Sequence, residues 1–152
     1  MRTLMLLAAL FTLISCRNIE TPEAQVRATI AQAEAAAEKK EVGMLRGMVS
    51  DSYADAQGQD KRAVEAVLRY YFLRNQSIHL FTRVSSVTLP QQDRALAIVY
   101  AGMAAQPVAD VDELERLRAD LFRFELEFVK EGDDWRVARA QWRRVDFADF
   151  IQ

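Results

Sequence analysis

The chain of 152 residues has few of the residues that usually mark a specific chemistry. One cysteine excludes an intramolecular disulfide and a cysteine-rich metal site, and one histidine excludes a multi-histidine metal centre. The 20 basic and 22 acidic residues give a formal net charge of −2, and no basic cluster favours nucleic acid as a partner. The sequence also contains no Gly-rich phosphate loop and no Ser-His-Asp or HExxH pattern. We therefore expect no metal and no cofactor.

The composition is that of a folded protein. Hydrophobic residues make up 51% of the chain and charged residues 28%, which is typical of a globular protein and not of a disordered one. A length of 152 residues suggests a single domain.

The N-terminus carries the most specific signal in the chain. An apolar run, Leu4 to Ile14, follows Arg2; it is too short to span a membrane, which needs about 20 residues, but it has the length of a signal-peptide core. The run ends in Leu13-Ile14-Ser15-Cys16, which resembles the bacterial lipobox. An ordinary secretory signal with a chance cysteine is the alternative, but the only cysteine stands at the one position where it would be lipidated.

The lipobox resemblance implies a membrane anchor. Residues 1–15 would be a lipoprotein signal peptide, Cys16 would carry thioether-linked diacylglycerol, and residues 16–21 would be a lipidated tether. Several acyl chains on one residue give stable anchoring. Arg17 stands where Asp would retain the protein in the inner membrane, so the resemblance implies a lipid-anchored envelope protein on the outer membrane, facing the periplasm.

Residues 22–152 predict helices first and strands afterwards. Thr21 and Pro22 begin a first helix that runs to about Glu41, and residues 42–49 form a short second helix. A third helix lies between Asp60 and Asn75, and its expected buried stripe is Val64, Val67, Leu68, Tyr71 and Phe72.

Four strands are expected after the helices. They are residues 78–89, residues 94–104 and the two arms of a hairpin over residues 120–145, with a short surface helix at VDELERL before the hairpin. In the hairpin, Phe122, Phe124, Leu126 and Phe128 alternate with charged residues, so one face is apolar and the other charged. Phe147, Phe150 and Ile151 in the tail are expected to tuck against the core.

This order predicts an α+β fold with three N-terminal helices packed on a curved four-stranded antiparallel sheet. The chain resembles the nuclear transport factor 2-like (SnoaL-like) superfamily in its long first helix, the Asp51–Asp55 segment before a glycine loop, and the Gly-x-x-Trp-Arg-Val hairpin at Gly132. The resemblance implies a cone-shaped domain with a pocket at its open end. It implies no particular reaction, because this fold hosts isomerases, dehydratases, cyclases and non-catalytic binders.

The hairpin register decides which residues share a face. A three-residue loop at Glu131-Gly132-Asp133 would place Phe124 opposite Ala140 and Glu125 opposite Arg139, which pairs apolar with apolar and acid with base. A loop one residue longer would place Glu125 opposite Ala140. Without a bulge, Trp135 and Trp142 would lie on opposite faces.

Six residues are pocket candidates, and each has a structural alternative. Asp51, Tyr53 and Asp55 could bind a polar ligand group or belong to a segment that caps its own loop. His79 could be a base or a strand histidine. Tyr70 could face the pocket or solvent, and Trp142 could line a cleft or seat the first helix. The candidates are Asp51, Tyr53, Asp55, Tyr70, His79 and Trp142.

Two functions follow, and the first is preferred. In the first, the cone domain of an envelope lipoprotein binds a small ligand or a partner protein without catalysis, and the charged face of the hairpin could form a homodimer. In the second, the protein is a small isomerase-like or dehydratase-like enzyme that uses His79 with Asp51 or Asp55 as base and orienting acid.

Overall fold

The computed structural model describes residues 21–151. The expected Cys16 lipidation and the 1–15 signal peptide lie outside the described residues, as does most of the 16–21 tether. The elements in chain order are α1 (Pro22–Glu38), α2 (Val42–Gly47), α3 (Lys61–Arg74), β1 (His79–Gln91), β2 (Arg94–Ala104), α4 (Val111–Arg116), β3 (Asp120–Glu131), β4 (Asp134–Arg144) and α5 (Phe147–Ile151). None of these helices is long and apolar enough to cross a membrane.

The fold is α+β with one four-stranded antiparallel sheet in the order β1-β2-β3-β4, as predicted. The expectation of three N-terminal helices packed on the sheet needs correction. Among the residues from 21 onward, only α1 and α3 are substantial helices before the sheet, since α2 has 6 residues. The helix that lies along the sheet is α1, whereas α3 packs mainly on α2. Two short helices, α4 and α5, come after β2 and β4.

Side-chain caps begin the helices where the sequence predicts them. The Thr21 hydroxyl accepts a hydrogen bond from the Ala24 N–H at 3.2 Å, and the Asp60 carboxylate accepts one from the Ala63 N–H at 2.9 Å. The first helix ends at Glu38, earlier than predicted, because Lys40 adopts φ +57, a left-handed conformation that a helix cannot continue through.

The inner face of the sheet packs on α1. Val26 and Ile30 of α1 are buried against this face, in a cluster that includes Ala95, Ala97, Val99, Phe128 and Trp135. The Trp135 indole N–H also donates to the Gln25 side-chain oxygen at 3.0 Å, which ties α1 to β4. The face of Phe122–Phe128 is therefore the helix-covered one.

The outer face is only partly solvated, because α4 and α5 cover one end of it. Phe150 of α5 is fully buried, with its ring 5.8 Å from that of Tyr100 and 6.4 Å from that of Phe81. The tail does tuck inward, but against this face and not against the α1 core. Gly102 leaves the space that Leu114 of α4 fills, since a Cβ there would lie 2.5 Å from the Leu114 Cδ2 atom.

The predicted hairpin register is wrong. The loop has two residues, with Gly132 at φ +64 in its first position, as a type II′ turn requires, and Glu131 pairs with Asp134. Phe124 lies opposite Trp142, and Glu125 lies opposite Gln141. Neither of the two registers considered from the sequence occurs.

A β-bulge accounts for the difference. The pairing passes from Phe128 opposite Val137 to Glu127 opposite Arg139, so Ala138 is an extra residue in β4. One extra residue changes the parity of every residue after it. Trp135 and Trp142 therefore lie on the same inner face, whereas the sequence without a bulge predicts opposite faces.

Candidate ligand-binding site

A row of aromatic side chains lies on the inner face beyond the end that α1 covers. The ring centroids of Phe122 and Phe124 are 6.2 Å apart, and those of Phe124 and Trp142 are 6.4 Å apart. The phenylalanines are half-buried and Trp142 is 49% exposed. This aromatic row (Phe122, Phe124 and Trp142) is apolar surface that no helix fully covers.

The helix α3 stands across from this part of the sheet. The Tyr71 hydroxyl lies 3.6 Å from the Met103 sulfur, which is on the inner face of β2. Val67 is one turn before Tyr71 and so points to the same side of the helix. Val67 is 51% exposed although its position in the apolar stripe predicts burial, because α3 does not close on the sheet.

A cavity of about 250 Å³ opens between the C-terminal end of α3 and the ends of β2 and β3. Its apolar wall includes Tyr71, Ile78 and Met103, and its polar rim includes Arg118 and Asp120. Burial raises the pKa of Tyr71, and the nearby Asp120 carboxylate raises it further, so the phenol stays neutral as a hydrogen-bond donor.

The rim of this cavity connects to the aromatic row through one ion pair. The Arg144 guanidinium lies 2.9 Å from the Asp120 carboxylate and 5.4 Å from the centroid of the Phe122 ring. The cavity, whose lining is mainly polar, and the apolar aromatic row thus adjoin at the Asp120–Arg144 pair, and we call the two together the cleft.

Tyr53 and Asp55, which the sequence marks as candidates, are both buried beside β4 but act on their own loop. The Asp55 carboxylate accepts hydrogen bonds from the N–H groups of Gln57 at 2.9 Å and Gln59 at 2.8 Å. The Tyr53 hydroxyl donates to the same carboxylate at 3.4 Å. Burial, followed by the charge of Asp55, raises the pKa of Tyr53.

Asp51 and Tyr70 face solvent. The Asp51 side chain is 84% exposed, and the Lys61 ammonium, 2.7 Å from it, lowers the pKa of the carboxyl group. Tyr70 is 60% exposed and accepts a hydrogen bond from the Arg74 guanidinium, which also lies over its ring.

His79 lies on the outer face of the sheet. Thr82 points to the inner face, where its hydroxyl donates to Glu34 of α1 at 2.6 Å. His79 and Phe81 are at odd positions of the same strand segment and therefore point to the opposite face. It is also on edge strand β1, whereas Ala54, next to Asp55, bonds to Ala138 of edge strand β4. The structure therefore does not bring His79 together with Asp51 or Asp55.

Of the sequence candidates, only Trp142 belongs to the aromatic row, and none of them lines the cavity. Tyr71, Met103 and Arg144 were missed: Tyr71 fits the apolar stripe of α3 as a core residue, and no local pattern marks Arg144 as the partner of Asp120. Within residues 21–151, no group of three or more histidine, cysteine, aspartate or glutamate side chains is placed to hold a metal ion.

Comparison with known proteins defines the class of fold. No protein-family model and no curated protein matches the chain. Among solved structures, a ketosteroid isomerase-like protein from Erwinia carotovora atroseptica aligns with a TM-score of 0.59 at 12% identity, over 81% of this chain and 95% of the other. An NTF2-like protein of unknown function in nutrient uptake from Rhodospirillum rubrum aligns with a TM-score of 0.59 at 15% identity, over 80% and 98%.

A third neighbour is longer than this chain. The protein Bd1075 from Bdellovibrio bacteriovorus aligns with a TM-score of 0.61 at 11% identity, over 80% of this chain but only 40% of the neighbour. These similarities define the fold and no activity. The chain has the nuclear transport factor 2-like fold, as its sequence predicts.

Proposed function

We propose that the protein is an envelope lipoprotein whose cone domain binds a small, largely apolar ligand without catalysis. The observation that carries the proposal is the half-exposed aromatic row on the inner face, which adjoins the 250 Å³ cavity beside Tyr71 at the Asp120–Arg144 pair. Exposed aromatic surface in a concave site is a common basis of ligand binding.

The arrangement of the ionisable groups around the cleft favours ligand binding over catalysis. Asp120 is paired with Arg144, Asp55 holds its own loop, and His79 lies on the other face. A general base needs to reach a substrate proton directly or through one water. The isomerase-like or dehydratase-like alternative, with His79 and Asp51 or Asp55, would need groups that this geometry separates.

Ligand binding can be followed at one tryptophan. Trp135 is 3% exposed and Trp142 is 49% exposed, so a ligand on the aromatic row should change the emission of Trp142 alone. Small molecules that copurify with the full chain, identified by mass spectrometry, supply the ligand for titration. The emission change should vanish in Trp142→Phe and persist in the control Ile151→Ala, on the other face. A change that persists in Trp142→Phe would contradict the site.

The membrane part of the proposal depends on Cys16. Intact-mass measurement of the mature protein should find residue 16 at the N-terminus with a diacylglycerol adduct, and Cys16→Ser should leave the chain unprocessed and unlipidated. A mature chain that begins elsewhere and carries no lipid would rule out the anchor. Location in the outer membrane is then tested by membrane fractionation.

A homodimer through the sheet is a second candidate arrangement. A trough of about 330 Å³ crosses the outer face between Ser86 of β1 and Gln141 of β4, with Leu96 44% exposed in it. Glu127 and Arg139 lie 3.8 Å apart in the same trough. The trough therefore has both an acidic and a basic side chain, which a second copy of the chain can pair with across a two-fold axis. Light scattering should show a dimer that Leu96→Glu dissociates; a monomer at high concentration would remove this arrangement.

A further inference from the structure

The exposed side of α3 has an apolar and basic surface that the cleft does not use. Arg62, Ala66, Arg69, Tyr70 and Leu73 recur at helical spacing and are all exposed. We name these five residues the α3 stripe. Leu73 is 86% exposed, the most exposed of the large hydrophobic side chains in residues 21–151, and Tyr70 beside it is 60% exposed.

The surroundings of the α3 stripe are strongly basic. Glu65 is the one acid in α3, and it is shared between Arg69 at 2.7 Å and Arg46 of α2 at 2.9 Å. These hydrogen bonds and charges lower the pKa of Glu65, so it is ionised at neutral pH. Helix α3 carries four basic residues, Lys61, Arg62, Arg69 and Arg74, against this one acid, a net charge of +3 on a chain whose formal net charge is −2.

This combination has the properties of a helix that lies in a membrane interface. Such helices present leucine and aromatic side chains between cationic ones, and the cations contact anionic headgroups. Tyr70 suits this boundary because its ring is apolar and its hydroxyl is polar, and Arg74 over that ring can extend toward phosphates.

A protein partner would need more surface than the α3 stripe offers. A stable interface buries about 800 Å² on each partner, whereas the α3 stripe is one convex helix wide. We propose that the α3 stripe rests on an anionic lipid surface, with Leu73 in the headgroup region and the arginines on lipid phosphates. If Cys16 is lipidated, residues 17–21 span about 17 Å at most and hold the domain within reach of the bilayer.

The test measures the depth of residue 73 in a bilayer. Mature full-length protein carrying Leu73→Cys is labelled with a nitroxide and reconstituted in mixed phosphatidylglycerol and phosphatidylcholine vesicles. Collision with oxygen, compared with collision with a water-soluble nickel complex, reports whether the label lies in lipid. The matched control is Ile151→Cys, an apolar residue 54% exposed on α5, on the opposite face of the sheet. The unsubstituted protein, treated with the same reagent, shows whether Cys16 is labelled.

The expected result is a lipid-exposed label at residue 73 in anionic vesicles and an aqueous one at residue 151. Docking should weaken about fivefold with Arg62→Gln, since each arginine near an anionic surface contributes a similar factor, and it should weaken further in high salt. An aqueous label at residue 73 in anionic vesicles would overturn the proposal. So would a label that becomes ordered only in native membranes, since that result indicates a protein partner. A protein anchored through Cys16 alone would leave residue 73 aqueous. The lipid anchor and the docking of the α3 stripe are therefore tested by different outcomes.

Discussion

Lys40 joins the ends of α1 and α3, and its removal tests what holds the helices together. Its ammonium donates hydrogen bonds to three backbone carbonyls at the C-terminal end of α3: Phe72 at 3.3 Å, Gln76 at 2.9 Å, and Asn75. These carbonyls have no partner within the helix, and a cation is favoured at that end of the helix dipole. The side chain thus satisfies the end of α3 from a residue 32 positions earlier.

The magnitude follows from these contacts. A hydrogen bond to a charged group contributes about 1.5–3 kcal/mol, and the three bonds share one ammonium, so Lys40→Ala should cost about 2–3 kcal/mol of the free energy of unfolding. Lys40 also holds φ +57, which costs a residue with a Cβ about 1 kcal/mol. Lys40→Gly removes the ammonium and this strain together, so it should cost about 1 kcal/mol less than Lys40→Ala.

Urea unfolding followed by circular dichroism measures these differences, and amide exchange in the last turn of α3 locates them. Lys39→Ala is the matched control, because Lys39 is an exposed neighbour with an ordinary helical φ of −83. The reasoning would be refuted if Lys40→Ala costs no more than Lys39→Ala. It would also be refuted if the glycine variant is no more stable than the alanine variant.

Two further predictions concern other contacts. Gly102→Ala should lower the free energy of unfolding by about 1–3 kcal/mol, because the added methyl group overpacks against Leu114. In a Leu114→Ala background the same substitution should cost much less, which a double-mutant cycle of unfolding free energies measures. Additive costs would contradict the contact. The raised pKa of Tyr53 means that its contribution to stability is complete below pH 10.0, its ordinary pKa, and is lost as pH rises through the higher folded value. Tyr53→Phe should therefore lose less stability in alkali than the parent does, and tyrosinate absorbance should show one late-titrating phenol fewer; unchanged curves would contradict this.

Local sequence patterns predicted the helices and strands well, because helix caps and strand alternation depend on residues close together in the chain. The caps at Thr21 and Asp60 and the strand Arg94–Ala104 are where the sequence puts them, since a hydroxyl or carboxylate cap and a period of two act within a few residues. Burial on α3 was predicted less well. Val67 fits the apolar stripe, but its burial depends on how far α3 stands from the sheet, and no local pattern specifies that distance.

The β4 bulge shows why the candidate site was harder to predict than the fold. Ala138 carries no turn or glycine signal, and its carbonyl accepts a hydrogen bond from Ala54 in a loop more than 80 residues earlier. Because that loop runs along the edge of β4, with Val49 bridged to Val137, the extra residue is stabilised by contacts distant in sequence. The same insertion turns Trp142 inward beside Phe124, which extends the aromatic row to the edge of the sheet. The register expected from the sequence puts Trp142 on the correct face but opposite Phe122 and not Phe124, and it puts Trp135 on the wrong face. Both differences come from a turn one residue shorter than expected and a bulge whose cause lies in tertiary contacts.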